Sequence, residues 1–273
     1  MSRNSSSSTG LAVPVPATDP TPPTAPVRPR NDPQQYDDLV GSWWDDRGRF
    51  AMLQWIAQAR AGLVPPADRE GALLVDIACG GGLMAPFVER LGYRHAGLDL
   101  SALSVRTAKE HGMGGVVADA RRLPLADGCA DVVLAGEVLE HVDDLGAVLA
   151  EAVRVLRPGG TLVIDTIAST WWGRFSSITI GERIPGGPPP RLHDGALFID
   201  RAELVRRCAD LGVDLTLLGM RPSLRSYLLW LTGRRRHGRM VRTAFTGGLF
   251  QAHGTKAHGT KAHGTEGVPR GAA

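Results

Sequence analysis

Cysteine is scarce in this 273-residue chain: Cys79, Cys129 and Cys208 are an odd number, at spacings that match no metal knuckle. A disulfide-stapled fold and a zinc ribbon are thereby excluded, and a reducing, cytoplasmic setting is expected. No run approaches the ~18 consecutive apolar residues of a membrane span. The opening Met-Ser-Arg-Asn-Ser-Ser-Ser-Ser lacks the apolar stretch of a secretory signal. Acid is missing from one place in particular: five arginines fall between Arg234 and Arg242 with no carboxylate among them, and without those five the formal charge of +3 turns slightly negative. A nucleic-acid enzyme spreads positive charge over the face around its site, so no nucleic-acid partner is expected. The basic patch reads as a solvated loop, with an anionic membrane surface as the alternative contact.

What is present is an ordinary globular composition, 43% hydrophobic and 22% charged. Residues 1–35, rich in Ser, Pro and Thr, bury too little to offset their ordering entropy and are expected to be disordered. At the other end, Ala252-His-Gly-Thr-Lys, Ala257-His-Gly-Thr-Lys and Ala262-His-Gly-Thr-Glu form a tandem repeat. Its three histidines hint at metal, but a glycine-rich low-complexity tail over 255–273 cannot hold a ligand geometry. Between the tails one domain, 36–254, is expected. Leu39, Trp43, Phe50, Leu53, Trp55 and Ile56 predict a helix across Tyr36–Val64 that ends before Pro65-Pro66. Buried-strand runs follow at Ala72–Ile77, His95–Asp99, Asp131–Ala135 and Gly160–Asp165, with a short segment at Gly115–Asp119. Helices are predicted between them at Leu83–Leu91, Ser101–His111 and Leu145–Leu156, with Ser101 as an N-cap and Arg157-Pro-Gly-Gly160 as a stop and turn. The alternation predicts an α/β class fold, a doubly wound parallel sheet whose ligands sit outside the C-terminal strand ends.

Four features fall at those ends. The run Asp76-Ile-Ala-Cys-Gly-Gly-Gly82 lets backbone approach a ligand closely, and the next helix aims its N–H groups at the same place. Asp99 ends the second strand, where a carboxylate can accept hydrogen bonds from ribose hydroxyls. Asp119 is placed for an adenine amino group, and Asp76 for an amino-acid ammonium. Gly80-x-Gly82-x-x-Ala85 also fits a dinucleotide fingerprint, but Asp76 would repel a pyrophosphate and no second catalytic domain is evident. The balance favours S-adenosyl-L-methionine as the cofactor, with Ala78, Gly80, Gly82 and Gly136 contributing backbone. Cys79 reads as a packing residue.

A second cluster, Glu137, Glu140 and His141, opens the segment after the fourth strand, with spacings that bring the three together on one helical turn. Taken alone, the cluster admits three readings: a divalent-cation site, His141 as a metal-free general base, or a helix N-terminus with a packed histidine.

From Tyr36 to Gly254 the chain resembles the class I S-adenosylmethionine-dependent methyltransferases of the ubiquinone-biosynthesis O-methyltransferase (3-demethylubiquinol/polyprenyl-catechol) family. The stretches that carry the likeness are Trp43-Trp44-Asp45-x-x-Gly48-x-Phe50-x-x-Leu53, the glycine loop, Gly97-Leu-Asp99, Glu137-Val-Leu-Glu140-His141-Val142, Arg157-Pro-Gly-Gly160 and His193-Asp194. It implies a Rossmann-like seven-stranded methyltransferase sheet with an N-terminal helical cap and an acceptor lid at about 167–197. It also implies Arg60 near the cofactor carboxylate, and Mg²⁺ held by Glu137, Glu140 and His141 against the oxygens of a phenol, catechol or quinol acceptor. Ala78 departs from the family by standing where the loop's first glycine belongs, and its methyl group restricts positive φ. Trp171, Trp172 and Phe175, with Tyr227, Leu228, Leu229 and Trp230 of Ser223–Leu231, are expected to form the lid. Beside Arg234–Arg236 they suit a peripheral membrane contact as well as a plain capping subdomain. His193 and Asp194 are either pocket wall or surface turn. The rival functions are N- or C-methylation of another natural product without metal, and a non-catalytic cofactor-binding regulator, which Ala78 keeps open.

Overall fold

The computed structural model describes residues 28–258. One sheet of eight strands runs through it in the order β3-β2-β1-β4-β5-β8-β6-β7. The strands are β1 (Leu73–Ile77), β2 (Arg94–Asp99), β3 (Gly114–Val117), β4 (Ala130–Gly136), β5 (Leu156–Ile167), β6 (Thr216–Pro222), β7 (Met240–Thr243) and β8 (Leu249–Thr255). β1 to β5 are mutually parallel, whereas β8 runs antiparallel to both β5 and β6. Seven strands were expected. The eighth, β7, adds to the edge through Arg221↔Val241 and neighbouring pairs, so Arg242, the last arginine of the basic patch, lies on an edge strand rather than in a loop.

Period-2 burial makes the winding double. Val75, Ile77, Val133, Ala135, Leu162 and Ile164 face the helices α5 (Leu145–Val155) and α7 (Arg201–Asp210). Leu74, Val132, Leu134 and Val163, one residue out of phase, pack with Ala57 of α2 (Ala51–Ala61) and Met84 and Val88 beside and within α3 (Ala85–Arg90). α4 (Ala102–Glu110) starts where expected: Ser101 is its N-cap, accepting from the Ser104 N–H at 3.0 Å. Asp144 and Asp200 cap α5 and α7 in the same way.

Four expectations change. The continuous helix over Tyr36–Val64 is two: α1 (Gln34–Asp38) and α2, joined by a 3₁₀ turn at Val40–Ser42 and a loop. At Gly48 in that loop any Cβ would press on Asp45, so apolar spacing alone could not reveal the break. Residues 28–35 of the expected disordered segment are packed, with Gln35 buried and donating to the Arg191 carbonyl at 3.1 Å; the rest of that segment, 1–27, lies outside the described residues. Arg157-Pro-Gly-Gly160 is part of β5, where the register against β4 shifts. The first repeat unit, Ala252 to Lys256, is likewise not tail. Its residues pair with β5, and Lys256 Nζ donates to the Val153 and Leu156 carbonyls at 2.7 and 2.8 Å, closing the end of α5. The third unit lies outside the described residues.

The expected lid begins with a short helix α6 (Trp171–Arg174), followed by a π-helical turn at Phe175–Ile180. It is tied down by the Gly186 carbonyl accepting from Met52 N–H at 3.0 Å and by Tyr227 donating to the Pro185 carbonyl at 3.2 Å. α8 (Leu224–Leu231) completes it. Trp230 is 2% exposed and packs on Trp55, so it belongs to the core of the lid rather than to its surface.

Candidate active site

A cavity of about 510 Å³ opens at the C-terminal ends of β1, β2 and β4, within the ~300–1,000 Å³ range of small-molecule pockets. Asp76, Ala78, Gly80, Asp99, Asp119, Gly136, Glu137, His141 and Arg60 all line it. Gly82 does not. It packs against Ala108 of α4 and Met113, so its place in the loop serves helix packing rather than a ligand. Gly80, at φ +52°, lies beneath Trp43: a Cβ there would come within 2.5 Å of the indole. Trp44 holds the same loop from the other side, donating to the Gly81 carbonyl at 2.8 Å and stacking on His111. The Trp-Trp pair thus clamps the glycine loop. Ala78 sits at φ +54° despite its methyl group, a left-handed conformation that costs ~1–2 kcal/mol for an L residue.

Asp99 accepts from the Gly80 and Ser101 N–H groups at 2.9 and 2.8 Å. Burial nonetheless moves its pKa upward, with the charges of Asp76 and Asp37 adding to the effect. Asp119 is at the rim, and its carboxylate is already gripped by Arg121 through contacts of 2.7–3.1 Å, which hold its pKa down. Its expected role toward an adenine amino group therefore competes with an ion pair.

Arg60 is buried and pairs with Asp165 at the end of β5 through two bonds of 2.6 Å, from Nε and Nη2. Its Nη1 makes no hydrogen bond among the described residues and remains for another anion. Gly136 is the seat of this guanidinium, since any Cβ there would overlap it. Gly136 therefore acts through Arg60. Asp165 was missed in the sequence, although it carries the same signal as Asp99, an acid at a strand's C-terminal end.

Glu137 stands at φ +53°, and its N–H donates to the Asp165 carbonyl at 2.8 Å. Burial, then the charges of Glu140 and Asp165, push its pKa well up. Glu140 accepts from the Thr166 hydroxyl at 2.6 Å, but its other oxygen is buried without a partner. Burial raises its pKa to about 7 against the opposing Thr166 hydrogen bond. His141 is held at both ring nitrogens, Nδ1 2.5 Å from Asn31 Oδ1 and Nε2 3.1 Å from the Tyr36 hydroxyl. Burial and the neighbouring His193 lower its pKa to about 3, which keeps it neutral. The His193 ring stacks on it at 5.3 Å between centroids.

Glu140, His141 and His193 each offer one ligand atom within 4.8 Å of the others. Glu137 is not among them, so the expected triad is corrected: His193 takes the place of Glu137, which is turned against Asp165. A buried, unpartnered carboxylate oxygen costs ~1–3 kcal/mol or more when charged, and the His141 and His193 rings stand beside it. The group fits a divalent cation. Two nitrogens and one oxygen suit borderline ions such as Zn²⁺ or Mn²⁺ better than Mg²⁺, which prefers oxygen throughout. Asp194 is outside the cavity wall; it accepts from the Ala196 N–H in a turn. Asn31 was also missed, and no signal in its low-complexity surroundings could have revealed it. Tyr36 was read only as part of a helix.

Comparison with known proteins places this architecture. Residues 75–164 match the methyltransferase domain family. The ubiquinone biosynthesis O-methyltransferase of Cupriavidus pinatubonensis is 32% identical over 201 residues, covering 70% of this chain and 81% of that protein. Among solved structures, an S-adenosylmethionine-dependent methyltransferase from Thermotoga maritima superposes with a TM-score of 0.57 at 23% identity, over 82% of this chain and 95% of that one. Magnesium protoporphyrin IX methyltransferase from Synechocystis, with S-adenosylhomocysteine bound, gives 0.55 at 16% identity, over 82% and 95% of the respective chains. At these identities the two structures speak for the fold.

Proposed function

Because the chain belongs to the ubiquinone-biosynthesis O-methyltransferase family of S-adenosylmethionine-dependent methyltransferases, we propose that it O-methylates a catechol or quinol-type small molecule in the cavity at the strand ends. One observation carries the reading: a single cavity joins the Asp99–Asp119 side to the Glu137, His141 and His193 side, so cofactor and acceptor would share one chamber. Asp99 would accept from the ribose hydroxyls, Asp119 would stand at the adenine end, and Asp76 would meet the ammonium. Arg60 would offer Nη1 to the methionine carboxylate while Asp165 holds its other face. Tyr36, Leu192 and His193 would wall the acceptor.

The transfer forms an O–CH₃ bond as the S–CH₃ bond breaks in line, leaving S-adenosylhomocysteine, and the hydroxyl proton must depart. A phenol ionises near ~10, so the site has to favour its oxyanion. A divalent cation held by Glu140, His141 and His193 would supply Lewis acidity at the acceptor oxygen. The neutral His141 imidazole is already in ligand form, and Glu140 loses its proton near neutrality. Arg60 brings a positive charge to the chamber's end, already paired with Asp165, and the Trp43–Trp44 clamp keeps the loop from shifting. A second reading makes His141 a metal-free base. It is favoured by the Tyr36 hydroxyl on Nε2, which marks that lone pair as available to an O–H donor.

Methyl-labelled S-adenosylmethionine should transfer its label to a short-chain prenylated catechol, read by mass spectrometry of the product. Label appearing only on amine or carbon nucleophiles would transfer the reading to the N- or C-methyltransferase alternative. Tight cofactor binding with no turnover on any phenol would favour a regulator. Chelation by EDTA separates the cation reading from the metal-free base.

No helix among the described residues is long and apolar enough to cross a membrane. Peripheral contact remains part of the proposal: Trp171 is 72% exposed and Leu224 68%, with Trp172, Leu228 and Leu231 also at the surface. Flotation with anionic vesicles should carry the protein upward, and complete retention in the soluble fraction would contradict it. The three unpaired cysteines suit a cytoplasmic enzyme working at that surface.

A further inference from the structure

The segment before α1 reaches into the cavity, and one residue of it controls the histidine. Asn31 is held at φ +58°, a left-handed conformation that asparagine tolerates better than most L residues. Its N–H donates to the Arg191 carbonyl at 3.2 Å, which ties it to the insertion after β5. Its side-chain amide then faces His141 twice. The Nδ2 group donates to the His141 carbonyl at 3.1 Å, and Oδ1 lies 2.5 Å from the His141 Nδ1.

These two bonds are not independent. A carbonyl oxygen only accepts, so the amide nitrogen must be the end that meets it, and this fixes which way the Asn31 amide points. Oδ1 is then the end facing the ring. An amide oxygen also only accepts, so the His141 nitrogen opposite must carry the hydrogen. With the ring's one hydrogen on Nδ1, Nε2 is left to accept, and Nε2 is where the Tyr36 hydroxyl, a donor, stands, 3.1 Å away. Every donor and acceptor agrees with a single tautomer. Neighbouring Arg30 braces the strap through the His193 carbonyl at 2.8 Å and the Glu182 carboxylate at 3.2 Å. Asn31 is therefore anchored to both sides of the group it orients.

We propose that Asn31 is a positioning residue that locks His141 in the Nδ1–H tautomer, so that Nε2 carries the lone pair, which faces the Tyr36 hydroxyl until a cation or an acceptor takes its place. The inference deepens the proposed function, since it gives that lone pair its use. It holds whether Nε2 binds a cation or takes a proton, because both need the same nitrogen bare. Outer partners of this kind fix ring orientation and tautomer in metal sites and in proton-transfer sites alike.

The test uses the full-length protein with ¹⁵N-histidine, first free of cation and acceptor. Long-range ¹H–¹⁵N correlation spectra report the tautomer directly, with His141→Gln assigning the resonances. The wild type should show a single Nδ1–H ring for His141. Asn31→Ala should show mixed tautomers or a shift to Nε2–H, with a melting temperature close to the parent. Asn31→Asp keeps an oxygen opposite Nδ1 and should restore the Nδ1–H form even if the alanine variant folds poorly. Turnover of a short-chain prenylated catechol should fall at least ~10-fold in kcat for Asn31→Ala, with KM for S-adenosylmethionine unchanged and partial recovery in Asn31→Asp. An Nε2–H ring in the wild type, an unchanged ring in Asn31→Ala, or full turnover despite a changed ring would each overturn the proposal. Full turnover of His141→Ala would instead overturn the functional reading while leaving the tautomer result standing.

Discussion

The two ends of the sheet handle buried acids in opposite ways. At the N-terminal end of β4, Asp131 accepts from the Leu73 N–H at 2.7 Å, from Arg69 at 2.7 Å and from Arg157 at 2.7 Å. Those hydrogen bonds outweigh burial and hold its pKa below the usual range. At the C-terminal end, Glu140 is fully buried and Glu137 partly so, each keeps an oxygen without a partner, and burial pushes both pKa values up. The first arrangement spends its carboxylate entirely on holding β1, β4 and β5 together. The second leaves carboxylate oxygens unpartnered at the end of the sheet where the cavity opens, a cost in stability that fits a place where a ligand arrives. A carboxylate oxygen left open, rather than charge or burial alone, separates these two acids from Asp131.

Substitutions at the two ends should therefore fail differently. The largest effect is expected for His141→Ala, with kcat lowered ~10²–10⁴-fold on a catechol acceptor and S-adenosylhomocysteine affinity preserved by calorimetry. Arg60→Ala should cost stability as well as cofactor affinity. It strands Asp165 in the core, and breaking a buried pair in this way costs ~3–5 kcal/mol, readable by urea unfolding. Asp131→Asn should lower stability by about 2 kcal/mol, less than a fully buried pair because Arg69 is half-exposed, yet leave kcat unchanged. A loss of kcat there would break the comparison. Cation affinity should depend on pH through Glu140. Its proton must leave before the carboxylate can coordinate, so affinity should be steady above about 7 and fall as the pH drops below it. Titration of Mn²⁺ followed by electron paramagnetic resonance reads this, and Glu140→Gln should weaken binding at every pH and flatten the curve. The smallest change should be Ala78→Gly, which relieves the left-handed alanine but loosens the unfolded chain, for a net gain of about 1 kcal/mol or less.

The sheet core was legible because β1, β4 and β5 carry runs of Val, Leu and Ile bounded by turn residues, and Ser101 at its strand end announced the following helix. The helical cap was legible only as apolar residues, since the bend at Gly48 depends on the Asp45 side chain meeting it in space. The first repeat unit was misread for a related reason: His-Gly-Thr looks like tail until β5 and β6 supply partners on either side. In the site, Asp76 and Asp99 were readable from position at strand ends, and Glu140 from its spacing to Glu137 and His141 in the segment after β4. Glu137 was assigned to the wrong neighbours because helical spacing was assumed where the backbone turns through positive φ. Asp165 and Asn31 meet Arg60 and His141 across more than a hundred residues, and no local pattern encodes such a pairing.

The central claim is that the edge bearing Asp99 binds the sulfonium nucleoside and the edge bearing Asp131 only braces the strands. Calorimetric titration of S-adenosylhomocysteine into the wild type, Asp99→Ala and Asp131→Asn tests it most directly. One site per chain, abolished by Asp99→Ala and retained by folded Asp131→Asn, is the predicted result. Absence of heat in the wild type, or heat indifferent to Asp99, would contradict it.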